Sequence, residues 1–202
     1  MTGGTWTTLF EDLLCGLVHA MNNRVTALSA FAELAAMDGE SIEAPVLREE
    51  ITRLHQVSAF VGVLAMRHDE MEALELRAVL ELALTIHSHH PGMRSVPCTI
   101  AQSGVVLPVR VPRWALLRLL LLMVDAARRA GTAAHESEAE VRLSGDEATV
   151  RAQIVSSEPL GKDAESLVAA CGGELTYAAG VCVLELPSLS ELRRLERRVQ
   201  YS

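Results

Sequence analysis

The chain has 202 residues, 50% of them apolar and 22% charged, with a formal net charge of −8. This length suits one domain or two small ones, and the apolar fraction excludes a disordered or fibrous chain. The acidic balance argues against a nucleic-acid binder, whose binding face is normally basic. The most apolar stretch, Trp114 to Ala127, carries Arg118 and Asp125 and is too short and too charged to span a bilayer. The first residues lack the basic region of a signal peptide. Cys15, Cys98, Cys171 and Cys182 form no CxxC pair. This predicts reduced, buried thiols rather than a disulfide framework or a zinc site. A cytoplasmic protein, with neither membrane nor nucleic acid as partner, is the expectation.

The first seventy residues read as a helical hairpin. From Leu9 to Ala36 the residues Phe10, Leu13, Leu14, Leu17, Met21, Val25, Leu28, Phe31 and Leu34 recur at steps of three and four, the period of an amphipathic helix. The run Asp38-Gly39-Glu40-Ser41 breaks it, with Gly39 as a C-terminal cap. A second helix starts near Pro45, with a stripe through Leu47, Ile51, Leu54, Val57, Val61 and Leu64 at near-heptad spacing. Two helices alone cannot bury such long stripes. A second copy of the hairpin would complete a four-helix bundle, which predicts a homodimer.

After the charged joint Arg67-His68-Asp69-Glu70 the pattern changes. Met71 to Ile86 reads as helical, Val96 to Ala101 as a strand, and Val105 to Val109 as another strand or a turn. Pro112 to Ala130 reads as a strong helix capped by Gly131. Glu140 to Ser144 and Thr149 to Val155 form a hairpin around Gly145-Asp146. Glu165 to Ala170 is a short helix ended by Gly172-Gly173. Leu175 to Ala178 and Val181 to Leu186 form a last hairpin around Gly180, and Ser190 to Gln200 closes the chain as a polar helix. The expected fold class is α+β: a helical hairpin over 1–68, followed over 69–202 by a small sheet with helices on one face.

His19 faces away from the apolar stripe. It lies ~140° from Leu14 and ~200° from Leu17 at about 100° per residue. Asp12, His19, Thr26 and Glu33 repeat at sevens along that polar face, and Asn22 and Asn23 are surface neighbours of His19 at three and four residues. An exposed imidazole keeps an unprotonated nitrogen near neutral pH and is a good nucleophile. Asn23 can offer its amide to a phosphoryl oxygen or position a water.

The run Leu17-Val-His-Ala-Met-Asn-Asn-Arg-Val-Thr-Ala-Leu-Ser-Ala-Phe-Ala-Glu-Leu resembles the phosphoacceptor box of sensor histidine kinases. His19 falls on the phosphoacceptor and Asn23 on the box asparagine. The helix from Pro112 resembles the one that carries the kinase asparagine box. The segment from Val168 to Tyr177, with Val183-Leu-Glu-Leu-Pro, resembles the closing helix and hairpin of the kinase ATP-binding domain. Together the resemblance covers Leu9 to Pro187.

The departures from that family are systematic. Leu121 and Asp125 stand where the family has two asparagines that help hold magnesium and nucleotide phosphates. Val155-Ser-Ser-Glu-Pro-Leu-Gly161 takes the place of the adenine-binding aspartate and first glycine box without the aspartate, and no room is left for a nucleotide lid. Ala20 stands where kinases place an acid beside the histidine. The chain therefore looks like a dimeric histidine phosphotransferase with a degenerate ATP domain. That resemblance implies transfer between response-regulator receiver aspartates through His19, without ATP. It further implies no cofactor held by this chain, Mg2+ supplied by the receiver, and a hybrid histidine kinase as a further partner. Two alternatives stay open: a kinase-like docking regulator that carries no phosphate, and a receiver phosphatase in which Asn23 places the water.

The remaining polar clusters read as solvated. His87-Ser-His89-His90 precedes Pro91-Gly92 with no acid or cysteine close in sequence, and a metal site there is disfavoured. Asp125, Arg128 and Arg129 read as the polar face of a long helix, and the charges from Glu191 to Arg198 as a solvated helix face.

Overall fold

The computed structural model describes residues 5–38, 44–92, 96–135 and 138–200. The chain opens with α1 (Trp6–Asp38) and α2 (Ala44–Ala65). Of the expected break at Asp38-Gly39-Glu40-Ser41, Asp38 still belongs to α1, and the rest, with the Gly39 cap, lies outside the described residues. Then follow β1 (Met71–Leu74), α3 (Leu76–His87), β2 (Cys98–Gly104), β3 (Val109–Pro112) and α4 (Arg113–Ala133). The chain ends with β4 (Ala139–Gly145), β5 (Thr149–Val155), α5 (Lys162–Cys171), β6 (Glu174–Ala178), β7 (Val181–Pro187) and α6 (Leu189–Gln200).

A mixed five-stranded sheet has the order β2-β4-β5-β7-β6. β2 runs parallel to β4 from Cys98↔Ala139 to Gly104↔Gly145, and the other neighbours are antiparallel. Val141, Leu143, Val150, Ala152, Ile154, Cys182, Leu184 and Leu186 alternate inward and are fully or almost fully buried, the period-two pattern of a sheet with one covered face. α4 covers that face, between α3 and α5. Its Leu119-Leu120-Leu121-Leu122-Met123-Val124 run is buried almost all round, which a helix sustains only at the centre of a core. α5 ends where Gly172 takes φ +63, a left-handed cap that glycine adopts without a Cβ clash.

The structure corrects two expected boundaries. Met71 to Leu74 is a strand, paired antiparallel with β3 from Met71↔Pro112 to Leu74↔Val109. The partner strand lies some forty residues downstream, so its hydrogen bonds override a locally helical pattern. α4 also continues through Gly131 to Ala133, and the chain turns at His135 with φ 56. Gly131 is buried within the helix, where it is tolerated rather than terminating.

One apolar core runs from the hairpin into the sheet layer. Leu9, Leu13 and Leu17 of α1 and Val57 and Leu64 of α2 join the cluster built on α3, α4 and the sheet. A second seat lies at the hairpin base. Arg118 lies over the rings of Trp6 and Trp114, Arg67 covers Trp114 at 4.6 Å, and the Trp6 amide donates to Asp163 at 2.8 Å. Among the described residues no helix is long and apolar enough to cross a membrane.

Candidate functional site

His19 lies midway along α1, just past the last fully buried leucine, Leu17, and its side chain is exposed as the helical period requires. Asn23, one turn on, is exposed as well. Its Nδ2 lies 3.2 Å from His19 Nε2. An amide nitrogen only donates, so this contact needs a lone pair on Nε2 and puts the ring proton on Nδ1. Such a ring presents a nucleophilic nitrogen with an amide donor already beside it. Ala20 is half-buried against the core and offers no acid.

The hairpin is clamped just beyond this pair. Arg24 donates twice to Glu50 of α2, at 3.0 and 3.2 Å, and Arg53 adds a bond at 2.9 Å. The Arg24 guanidinium holds the Glu50 carboxyl below its ordinary value. Val18 and Val25, at a spacing of seven, remain 45% and 49% exposed, and Val46 and Ile51 of α2 remain 40% and 39% exposed. These leave an uncovered apolar stripe next to the histidine face.

The inner side of α4 is closed to solvent. Leu121 is fully buried, and Asp125 is 4% exposed. Asp125 is bound by Arg129 at 2.6 Å and by His87 Nε2 at 3.2 Å. With two partners already on its carboxylate, it is not a free cation ligand. Residues 156–161 join β5 directly to α5. Ser156 Oγ folds that link on itself by donating to the Glu158 carbonyl at 2.6 Å.

The histidine cluster and the α4 charges depart from the sequence reading. His87 and His90 are buried, at 0% and 7% exposure, and so are Asp125 and Arg128. The imidazoles stack with centroids 5.2 Å apart. Arg128 lies 3.1 Å from His87 Nδ1, and His90 Nε2 lies 3.4 Å from Asp12 Oδ2. The clusters read as solvated because each lacks partners within its own segment. The fold supplies those partners from one another and from α1. Two sequence signals point to this: a glycine, Gly16, inside a strong helix, and an Asp-Arg-Arg group at i, i+3 and i+4 embedded in leucines. Among the described residues no group of three or more His, Cys, Asp or Glu is placed to hold a metal ion. The cysteines are free thiols. Burial pushes Cys171 up to about 12 and Cys182 up to about 11, Cys98 is half-buried, and Cys15 is exposed, against the expectation of burial.

No protein-family model matches the chain, and no curated protein matches it. Among solved structures it is similar to the catalytic domain of histidine kinase ThkA. That match has 13% identity and a TM-score of 0.47, and covers 59% of this chain and 97% of that one. Acinetobacter baumannii histidine kinase AdeS is similar at 13% identity and a TM-score of 0.46, over 85% of this chain and 98% of that one. Histidine kinase ThkA in complex with response regulator protein TrrA is similar at 12% identity and 0.45, over 92% of this chain and 64% of that one.

Proposed function

We propose that the chain is a phosphorelay histidine phosphotransferase. His19 takes a phosphoryl group from the aspartate of one response-regulator receiver and passes it to another, without ATP. The observation that carries this reading is the His19–Asn23 pair. It is a solvent-facing Nε2 with an amide donor at 3.2 Å, in a chain whose Asp125 is already engaged and whose Leu121 is core. A nucleophile without a nucleotide site needs a donor brought by a partner, and an acyl phosphate is such a donor.

In the transfer, the Nε2 lone pair attacks phosphorus and an N–P bond forms. The P–O bond to the aspartyl carboxylate breaks, and the carboxylate leaves with the electron pair. The Nδ1 proton shares the positive charge of the ring until it passes to solvent or the reaction reverses. Asn23 turns its amide from Nε2 to a phosphoryl oxygen. Mg2+ on the receiver neutralises the other oxygens, so this chain supplies position and nucleophile, which suffice for phosphoryl transfer. In this reading residues 1–68 form the transfer hairpin and 69–202 a degenerate nucleotide-binding domain. A second copy of the hairpin covers the Val18–Val25 stripe to make a four-helix dimer.

The test is label transfer from a panel of purified, phosphorylated receivers, beside His19→Ala, Asn23→Ala and an ATP-only control. The expected result is acid-labile label on the wild type and none on His19→Ala or from ATP. Asn23→Ala loses one hydrogen bond of about 1 kcal/mol and slows uptake about fivefold. Receivers that bind without leaving label would make the chain a docking regulator. Faster loss of receiver phosphate, abolished in Asn23→Ala, would make it a phosphatase.

A further inference from the structure

Phosphoryl uptake at His19 uses none of the polar groups buried between α1, the 87–91 turn and α4. The partners of His87 and His90 fix both tautomers. A guanidinium only donates, so Arg128 makes His87 Nδ1 an acceptor at 3.1 Å. The ring proton is then on Nε2, which donates to Asp125 at 3.2 Å. The Gly92 amide likewise donates to His90 Nδ1 at 3.1 Å. This leaves the His90 proton on Nε2, facing Asp12 at 3.4 Å. Both Nδ1 lone pairs are taken.

This pair supports the turn on which α1 rests. A Cβ at Gly16 would lie 1.7 Å from the His89 carbonyl oxygen, so helix and turn meet backbone to backbone. Gly16 lies one turn before His19 and Asp12 two turns before it, on one face. Along the axis these are about 4.5 and 10.5 Å away at 1.5 Å per residue. Among the described residues, the charged and titratable groups around the pair are Asp12 from α1, His89 from the turn itself, Asp125, Arg128 and Arg129 from α4, and Cys98 of β2 beside Arg128. From α2 the Phe60 ring faces His89.

We propose that His87 and His90 are positioning residues for the phosphoacceptor: together they hold the 87–91 turn on α1 beneath His19, and a proton on the His87 ring releases it. The inference rests on the phosphotransfer reading of His19. A proton on His87 Nδ1 displaces Arg128 and sets a cation against the stacked His90 ring, beside two arginines. Burial holds the His87 ring below its ordinary value of 6.5, with Asp125 pulling the other way, so the seat is closed at neutral pH.

The experiment is hydrogen exchange of peptides covering 9–20, corrected for intrinsic rates, at pH 7.5, 6.5 and 5.5. Label uptake from a phosphorylated receiver is measured at the same pH values. The wild type is compared with the double variant His87→Gln/His90→Gln, whose amides keep a donor and an acceptor but do not titrate. Protection of 9–20 in the wild type should fall about fivefold from pH 6.5 to 5.5, because the released ring, with its ordinary value of 6.5, goes from half to about nine-tenths protonated while the seated ring refuses the proton. The double variant should keep its protection and, equal to wild type at pH 7.5, take label faster than the wild type at pH 5.5, by up to about fivefold. Wild-type protection that stays constant, or an identical step in the double variant, overturns the proposal. Should the double variant not fold, the ring 15N shifts of the wild type decide. Rings that titrate where protection falls support the proposal, and rings that stay neutral through the fall refute it. Label uptake separates the two readings. No label on the wild type at pH 7.5 from any receiver removes the phosphotransfer reading and the positioning role with it. Label with equal pH profiles in both proteins removes the positioning role only.

Discussion

Gly16→Ala tests how firmly α1 is seated. The new Cβ would stand 1.7 Å from the His89 carbonyl oxygen and 2.8 Å from its carbon, where ordinary contact begins at 3.4 Å. The turn or the helix must therefore retreat by 1.7 Å, the difference between 3.4 and 1.7 Å. The obstacle is main chain, so no rotamer can absorb the shift. The turn is held by the Gly92–His90 and Arg128–His87 bonds. Overpacking of this kind costs about 1–3 kcal/mol, and a strained hydrogen bond adds about 1 kcal/mol. Alanine returns about 1 kcal/mol of helix propensity. The net loss is about 2 kcal/mol, or about 4–8 °C in Tm for a chain of this size. Gly62→Ala is the control. It lies in α2 with nothing within 4 Å of the added methyl, and it should gain stability through the same propensity. Thermal melts of the two variants by circular dichroism decide the matter. A Gly16→Ala protein as stable as Gly62→Ala would refute the close seat between α1 and the turn.

Stability should also depend on pH through His87. Above 6.5 the ring is neutral folded and unfolded; below 6.5 the unfolded chain takes a proton that the buried ring refuses, so stability falls towards the ring's own lower value. Urea midpoints should slip slightly from pH 7.5 to 6.5, where the unfolded ring is half protonated, and drop further at 5.5, with the drop removed in His87→Gln; equal midpoints at all three would contradict this. Alkylation of the native protein should mark Cys15 first and reach Cys171 and Cys182 only on unfolding, because burial keeps those two as thiols; early labelling of Cys171 by mass spectrometry would disprove the burial argument. Val25→Asp places a charge in the uncovered stripe and should convert a dimer to a monomer in sedimentation, whereas a wild type that is monomeric at micromolar concentration removes the dimer. Leu121→Asn buries an amide without a partner, should cost about 2–4 kcal/mol, and should leave Mg-ATP binding undetectable by calorimetry; measurable binding would show that the engaged Asp125 is no barrier.

Most elements were legible in the sequence because their signals are local. The three- and four-residue period of α1, the Gly145-Asp146 turn and the glycines after α5 each fix structure within a few residues. The exposure of His19 follows from the same period. β1 was not legible, since a four-residue strand is decided by a partner at 109–112. Nor was the burial of His87, His90, Asp125 and Arg128. A charged side chain reads as solvated until its counter-charge is found, and here the counter-charges sit on α1, the turn after α3, and α4. In each case the deciding contacts are distant in sequence.

Those long-range contacts also join the two parts of the proposed function. In this chain Asp125 is engaged by Arg129 and His87, and Leu121 by the core. The network that engages Asp125 runs through the stacked imidazoles to Asp12 and through the turn to Gly16, one helical turn from His19. A phosphotransferase receives its phosphoryl group from a partner that must find the histidine in a fixed place. Burial of the same carboxylate serves that requirement, so in the proposed function the engagement of Asp125 and the seating of α1 follow from one packing arrangement.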